Sequence, residues 1–312
     1  MASTQTLSPR TSMTATTLRT QRAAKLKHAV PLYLMLLPAI AYFVIMTYYP
    51  LAHAVLISMQ NFRFIGNRPF VGFQNYVDVL SDSEFWSSFA NTSILGAGIL
   101  VIGFVAPIVI ALSLNEVLQS WLKRTIQMVI YIPHLFSWVV VGGLWIYMLT
   151  PDGGLVNTVL QVLHLPQVQF MTNPNLARWV LILVTVWKEV GFNCILYLAA
   201  IVGINPALYE SARVDGATRW HEMWHVTIPM LRRTMKVVGL LSIMGLLRLF
   251  QQIYVMRNAV IEPKVDVLMT YVYDKGLQQM NIGQATASAL LILLFTLLLT
   301  LITRRLVQYN EL

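Results

Sequence analysis

Four long stretches of the chain contain no Asp, Glu, Lys or Arg and are rich in aliphatic and aromatic residues. A transmembrane helix needs about 20 consecutive, mostly apolar residues to cross about 30 Å of hydrocarbon. All four stretches are longer than this: residues 28–62, 85–115, 125–151 and 276–303. The pattern therefore predicts at least four helices that cross a membrane.

Two further apolar stretches carry charges inside them. Lys188 and Glu189 interrupt residues 179–203, and Arg248 interrupts residues 237–256. Unbroken apolar runs favour helices over the alternating strands of a membrane barrel. The expected fold class is all-α, a polytopic membrane protein. We predict six transmembrane helices, near residues 30–59, 88–114, 125–149, 179–203, 237–256 and 284–303.

The composition excludes an ordinary soluble domain. The 312 residues are 57% hydrophobic and 11% charged, whereas soluble domains are about 25% charged. With six spans both termini share one side, which holds 14 of the 22 Lys and Arg residues. Because basic segments stay cytoplasmic, we expect cytoplasmic termini, a cytoplasmic tail at residues 1–27 and a transmembrane domain at residues 28–312. The net charge of +9 is then a topology signal, and no nucleic-acid partner is expected.

The cytoplasmic segment at residues 205–229 predicts two short helices separated by a turn. Asn205 followed by Pro206 is typical of a helix start, because Asn caps the first turn and Pro fits the first helical position. Asp215 and Gly216 favour a break, and Pro229 is expected to kink or end the second helix. Two short helices around a glycine suit docking into a groove of a partner protein.

This segment resembles the EAA loop of ABC importer permeases, and residues 30–305 resemble the carbohydrate-importer branch of that family. The matching residues of the loop are Glu210, Ser211, Ala212, Asp215, Gly216, Ala217 and Pro229. Ser211 stands where the family pattern has alanine, a small residue replacing another. The resemblance implies that Glu210 anchors the loop to an ATPase, that Gly216 forms the turn, and that Ala212 and Ala217 are small contact surfaces.

The resemblance also implies the fold and the partners. The fold would be that of a type I ABC importer permease in the bacterial inner membrane. The partners would be a second permease subunit, two ABC ATPase subunits and an extracellular solute-binding protein. The chain lacks the G-x-x-x-x-G-K-[ST] phosphate loop. No enzyme activity or cofactor is therefore expected in it, and ATP and Mg²⁺ would be bound by the ATPase partners.

Polar residues inside the predicted spans are candidates for the substrate path, because such residues usually face a partner, a cavity or a pathway. Glu189, Asn193 and Tyr197 recur at helical spacing in the fourth span. Structural contacts between helices, such as a Glu189–Arg248 pair, remain the alternative. The substrate is expected to be an oligosaccharide, neutral or anionic. The full candidate set is Lys188, Glu189, Asn193, Tyr197, Arg248, Gln251 and Gln252.

Two other functions remain open from the sequence. His221, Glu222 and His225 match the H-E-x-x-H pattern, which places two histidines on one helix face and is typical of zinc metalloproteases. A catalytic zinc needs a third protein ligand, which no second motif supplies, and we expect no metal site. A self-sufficient secondary carrier is the other alternative.

Overall fold

The computed structural model describes residues 31, 33–62 and 67–306. The tail predicted at residues 1–27 lies outside this range. Within it the chain is helical, with no strand beyond one isolated bridge between Gln60 and Phe70, and the all-α prediction is confirmed. The helices are α1 (Tyr33–Ser58), α2 (Gln74–Ser81), α3 (Ser83–Asn115), α4 (Ser120–Leu135), α5 (Trp138–Leu149), α6 (Leu155–Val162), α7 (Pro174–Val202), α8 (Pro206–Val214), α9 (residues 219–246), α10 (Gln251–Met256), α11 (Glu262–Val265), α12 (Leu268–Tyr273) and α13 (Ile282–Leu306).

The chain divides into two units, Met1–Leu56 and Ile57–Leu312. The first contains most of α1, and the second contains the other helices. Among the described residues, α1, α3, α7 and α13 are long and apolar enough to cross a membrane. The pair α4 and α5 gives a fifth crossing if it is counted as one span, although its two helices meet at 102°.

The bend between α4 and α5 has local causes. Pro133 lies in the last turn of α4 and removes one backbone donor. Ser137 then starts α5 as its N-cap, because its hydroxyl accepts a hydrogen bond from the Val140 amide at 3.4 Å. The predicted span at residues 125–149 therefore consists of two helices.

The predicted span at residues 237–256 is also divided. Helix α9 ends at Leu246, and α10 begins at Gln251 after a non-helical turn. Leu247 and Leu249 are buried within the turn, and α10 packs against α5. No glycine or proline marks residues 247–250. The break is thus stabilised by packing against other helices, which the local sequence does not reveal.

Helices α3 and α7 form the centre of the second unit. Asn173 caps α7 by accepting hydrogen bonds from the amides of the second and third residues of that helix, and Pro174 occupies the first helical position. Towards the N-terminal ends of α3 and α7, Leu95 of α3 packs with Leu181 of α7 and Ile253 of α10. Towards the loop of residues 205–229, α3, α7 and α9 share a second core. This packing leaves a gap between the two cores.

The segment after α10 crosses the N-terminal ends of α3 and α7. Asn91 of α3 donates a hydrogen bond to the Pro263 carbonyl at 3.1 Å. Arg178 of α7 donates to the Lys264 carbonyl at 2.7 Å. The hydroxyl of Thr92 accepts from the amide that begins α12. These bonds join residues far apart in sequence and hold the N-terminal ends of the two central helices together.

Candidate functional site

A cavity of about 500 Å³ lies between α3, α7 and α9, near the midpoints of α3 and α7. Its volume is within the range of about 300–1,000 Å³ typical of small-molecule sites. Most of its wall is apolar, with a few polar side chains. The polar and charged lining residues are His134, Thr185, Glu189, Asn193, Ser242, Arg248 and Gln252.

Gly191 allows the end of α4 to reach this cavity. A Cβ atom at Gly191 would overlap the backbone carbonyl of Ile130 in α4. The absence of a side chain therefore lets α4 and α7 approach closely. This contact brings His134, at the end of α4, beside Glu189 of α7.

Lys188, Glu189 and His134 form a charged group that we call the Glu189 cluster. Glu189 contacts His134 Nδ1 at 2.8 Å through one carboxylate oxygen and accepts from Lys188 Nζ at 3.2 Å through the other. Lys188 is buried, donates to the His134 carbonyl at 3.2 Å and lies 5.1 Å from the Trp138 ring. The positive charge of Lys188 is thus balanced inside the cluster.

Arg248 has a different environment. It lies in the turn between α9 and α10 and lines the cavity with an exposed side chain. Within the described part of the chain, its guanidinium makes no ion pair or hydrogen bond. The Glu189–Arg248 pair considered from the sequence is not formed, since Glu189 contacts His134 and Lys188 instead.

The remaining candidates for the substrate path are placed differently from one another. Asn193 and Gln252 line the cavity, and Gln252 is only 7% exposed. Gln251 is exposed and does not line the cavity. Tyr197 is fully buried in the core shared by α3, α7 and α9. His134 also lines the cavity, and sequence reasoning missed it because its partner Glu189 lies 55 residues away in the chain.

The loop at residues 205–229 is built from local signals. The Asn205 side chain caps α8 by accepting from the Ala207 amide at 3.0 Å. Gly216 has a φ of +81°, a left-handed conformation that favours glycine and turns the chain between α8 and α9. Thr218 then caps the start of α9.

Three side-chain contacts join the two helices of this loop to each other and to α3. Arg213 of α8 donates to Glu222 of α9 at 2.7 Å, and this hydrogen bond raises the pKa of Arg213. Tyr209 and Thr227 form a second hydrogen bond, at 3.0 Å. Arg219 pairs at 2.9 Å with a glutamate just after α3. The loop is therefore one packed body attached to the bundle.

The predicted docking residues lie on this body with unequal exposure. Glu210, Ser211, Asp215 and Gly216 are exposed, whereas Ala212, Ala217 and Pro229 are half-buried. Large apolar side chains are exposed beside them: Leu208, Val214, Trp220 and Trp224. Exposed apolar side chains grouped on one loop are typical of a surface that meets another protein or a membrane.

Pro229 does not end the second helix of the loop. Helix α9 passes through a π-turn at Met223–Thr227, where the Ile228 amide donates to the Met223 carbonyl. The wider turn accommodates Pro229, which has no backbone donor. The helix then continues to Leu246 at the cavity wall. One helix thus connects the exposed loop with the cavity.

The H-E-x-x-H residues have structural partners in this arrangement. Glu222, which is 7% exposed, is held by Arg213. His221 contacts the Thr218 hydroxyl through Nδ1 at 2.7 Å, and His225 contacts the His221 carbonyl through Nδ1 at 3.1 Å. Across residues 31, 33–62 and 67–306, they belong to no group of three or more side chains spaced to hold a metal.

A second charged group lies around the short helices α11 and α12. Arg257 donates to both carboxylate oxygens of Asp274, at 2.7 and 2.8 Å, and to Asp266 at 3.0 Å, with Glu262 at 3.8 Å. We call these four residues the Arg257 cluster. The hydrogen bonds to Asp274 raise the pKa of Arg257, and burial raises the pKa of Asp266 to about 6. The three carboxylates are close enough to hold a metal ion, but the guanidinium already supplies a positive charge among them.

Known proteins with similar sequences and folds share one function class. Residues 103–311 match the family described as "Binding-protein-dependent transport system inner membrane component". The chain is 36% identical over 281 residues to the "Polygalacturonan/rhamnogalacturonan transport system permease protein YteP" of Bacillus subtilis (strain 168), which covers 89% of this chain and 87% of that protein.

Two solved structures of a bacterial alginate ABC transporter contain similar chains, each 35% identical to this one. One is a complex with a periplasmic protein that holds an alginate pentasaccharide; its TM-score is 0.83, over 90% of this chain and 95% of that chain. The other is a transporter involved in the import of the acidic polysaccharide alginate. Its TM-score is 0.85, over 93% of this chain and 99% of that chain.

Proposed function

Because the chain belongs to the family of binding-protein-dependent transport system inner membrane components, we propose that it forms half of the pathway for an oligosaccharide in an ABC importer. The observation that carries this proposal is the continuity of α9. This helix begins in the exposed loop and ends at the wall of a polar-lined cavity. A protein bound to the loop would therefore act on the cavity through one rigid element.

The substrate class is supported by the relatives and by the cavity. The similar chains include a polygalacturonan/rhamnogalacturonan permease and subunits of an alginate transporter. The cavity combines apolar walls with amide and charged side chains, as expected for a site that hydrogen-bonds sugar hydroxyls. Asn193 and Gln252 would supply neutral hydrogen-bonding groups, and the Glu189 cluster would supply a carboxylate acceptor.

The partners would be a second permease subunit, two ABC ATPase subunits and an extracellular solute-binding protein. ATP and Mg²⁺ would be held by the ATPase subunits, and this chain would perform no hydrolysis. The location would be the bacterial plasma membrane, with both termini in the cytoplasm. The alginate complex with its periplasmic protein supports the extracellular partner.

The coupling would work through the loop at residues 205–229. Exposed Glu210 would anchor the loop in an ATPase cleft, with Trp220 and Trp224 providing apolar contact area. Closure of the ATPase pair on ATP would move α8 and α9 together, because Arg213 and Glu222 join them. The pair between Arg219 and Glu116 would transfer part of the motion to α3, so that two cavity walls move together.

The proposal is tested with the complete complex reconstituted in liposomes. Glu210→Lys should abolish ATP-dependent uptake and the retention of ATPase subunits on the purified permease pair. Asp152→Lys is the matched control, because Asp152 is an exposed acidic residue in the turn after α5. This control should retain the ATPase subunits. Uptake that persists in Glu210→Lys without ATPase subunits would refute the proposal and favour a secondary carrier.

A further inference from the structure

We propose that Arg248 recognises a carboxylate of the transported sugar, so that the cavity favours uronate-containing oligosaccharides over neutral ones of the same size. This inference rests on the proposed function, since it specifies the substrate class of the same cavity. Its basis is the balance of charges around the cavity, which the described side chains define.

The two intramembrane cations are not equivalent. Lys188 is 5% exposed, bonded to Glu189 and placed over the Trp138 ring. Its charge is therefore already compensated, and it is absent from the cavity lining. Arg248 lines the cavity and has no acidic partner within the part of the chain that the structure describes. The lining thus carries one uncompensated positive charge.

The backbone holds Arg248 in place at the cavity wall. Its two neighbours, Leu247 and Leu249, are buried in the packed helices, 5% and 9% exposed. The turn is therefore fixed while the guanidinium stays accessible. A guanidinium presents several N–H donors in a planar fork that matches the two oxygens of a carboxylate. An accessible arginine on a fixed turn is suited to such bidentate recognition.

A second polar group close in sequence to Arg248 also lines the cavity. Gln252 follows Arg248 by four residues, and its side chain lines the cavity although the residue is only 7% exposed. Its amide has no hydrogen-bond partner among the described residues. Because this amide faces the cavity, its donor and acceptor groups are available to a ligand there. Gln252 would therefore bond a sugar hydroxyl or carboxylate next to the one held by Arg248.

The charge balance also predicts discrimination. An acidic sugar inside the bundle would be costly to desolvate unless a fixed cation compensates it. A neutral sugar would displace water from Arg248 and leave its charge without a partner, which selects against that sugar. Electrostatics and desolvation therefore act in the same direction.

The test uses liposomes that contain the complete complex and its solute-binding protein. The probes are matched pairs: oligogalacturonates and oligoalginates, each beside its carboxyl-reduced, neutral counterpart. Uptake by each variant is divided by wild-type uptake of the same probe, so the preference of the binding protein cancels. Arg248→Gln should lower uptake of the acidic probes about 10-fold to 100-fold more than that of the neutral ones, as expected for the loss of a charge-assisted hydrogen bond.

Two further variants separate recognition from structure. Arg248→Lys keeps the charge but not the fork, and should retain more acidic uptake than Arg248→Gln. Asn193→Ala removes an uncharged group from the cavity lining. It should lower the uptake of the acidic and the neutral probe of a pair by the same factor. Equal loss of acidic and neutral uptake in Arg248→Gln would refute the inference and assign Arg248 a structural role.

The outcomes also separate this inference from the function on which it rests. ATP-dependent uptake of neutral probes alone by the wild-type complex would overturn the role of Arg248 and leave the importer function intact. No ATP-dependent uptake of any probe pair would count against the importer function itself.

Discussion

Removal of Arg257 should destabilise the protein far more than removal of an exposed arginine does. The side chains of Arg257 and Asp274 are 12% and 11% exposed, and that of Asp266 is 16% exposed. Arg257→Gln would leave two nearly buried carboxylates without their cation. Breaking a buried ion pair by removing one partner costs about 3–5 kcal/mol, because an uncompensated charge remains.

Arg219→Gln is the matched control. Like Arg257, Arg219 forms an ion pair, here with Glu116 at 2.9 Å. The side chains of Arg219 and Glu116 are, however, 67% and 52% exposed. An exposed pair contributes about 0–1 kcal/mol. The two substitutions remove the same group from different environments. The difference between their effects, about 2–5 kcal/mol from these two ranges, measures the consequence of burial.

The free energy of unfolding can be followed in detergent micelles by the fluorescence of the chain's eight tryptophans. Arg257→Gln should lose more stability at pH 8 than at pH 5, because burial raises the pKa of Asp266 to about 6 and its abandoned carboxyl is therefore largely neutral at pH 5. Adding Asp274→Asn to Arg257→Gln should recover part of the loss. A loss no larger than that of Arg219→Gln would refute the assignment of Arg257 as the central cation of its cluster.

Three further outcomes are expected. Gly191→Ala should lower the yield of monodisperse protein in size-exclusion chromatography, because its Cβ overlaps the Ile130 carbonyl, whereas Gly143→Ala, which meets open space, should not. Gly216→Ala should weaken retention of ATPase subunits, since a left-handed conformation costs a residue with a Cβ about 1–2 kcal/mol; unchanged co-purification would contradict this. Burial raises the pKa of Asp266 from 3.8 to about 6, so its stabilising contribution is complete below 3.8 and is lost as pH rises through about 6. The unfolding free energy of the wild type should therefore fall relative to that of Asp266→Asn over this range, and a constant difference would refute the shift.

The fold class and the family could be predicted from the sequence because their signals are local. Long apolar runs predict helices in lipid, since each backbone group must be satisfied within its own segment. The cap at Asn205 and the turn at Gly216 lie where the sequence predicts them, since both depend on the conformation of single residues. The resemblance to ABC importer permeases is confirmed by the family match.

The substrate-path prediction shows where periodicity is insufficient. Glu189, Asn193 and Tyr197 recur every four residues, but eight residues of an α-helix leave an offset of about 80° from a common face. Glu189 and Asn193 line the cavity, while Tyr197 points into the core shared with α3. The sequence gives the helical spacing of these residues. Because their side chains turn gradually away from one face, the neighbouring helices decide which of them reach the cavity.

The sequence alone thus determined a helical membrane chain with two short helices around a turn at residues 205–229, because lipid, water and local caps act on each segment separately. Only the tertiary structure decided that Lys188 forms an ion pair with Glu189 while the Arg248 side chain lines the cavity. It also decided that the helix is interrupted at residues 247–250. Both depend on contacts between side chains far apart in the chain. Such contacts are set by how the helices pack, which no single segment encodes.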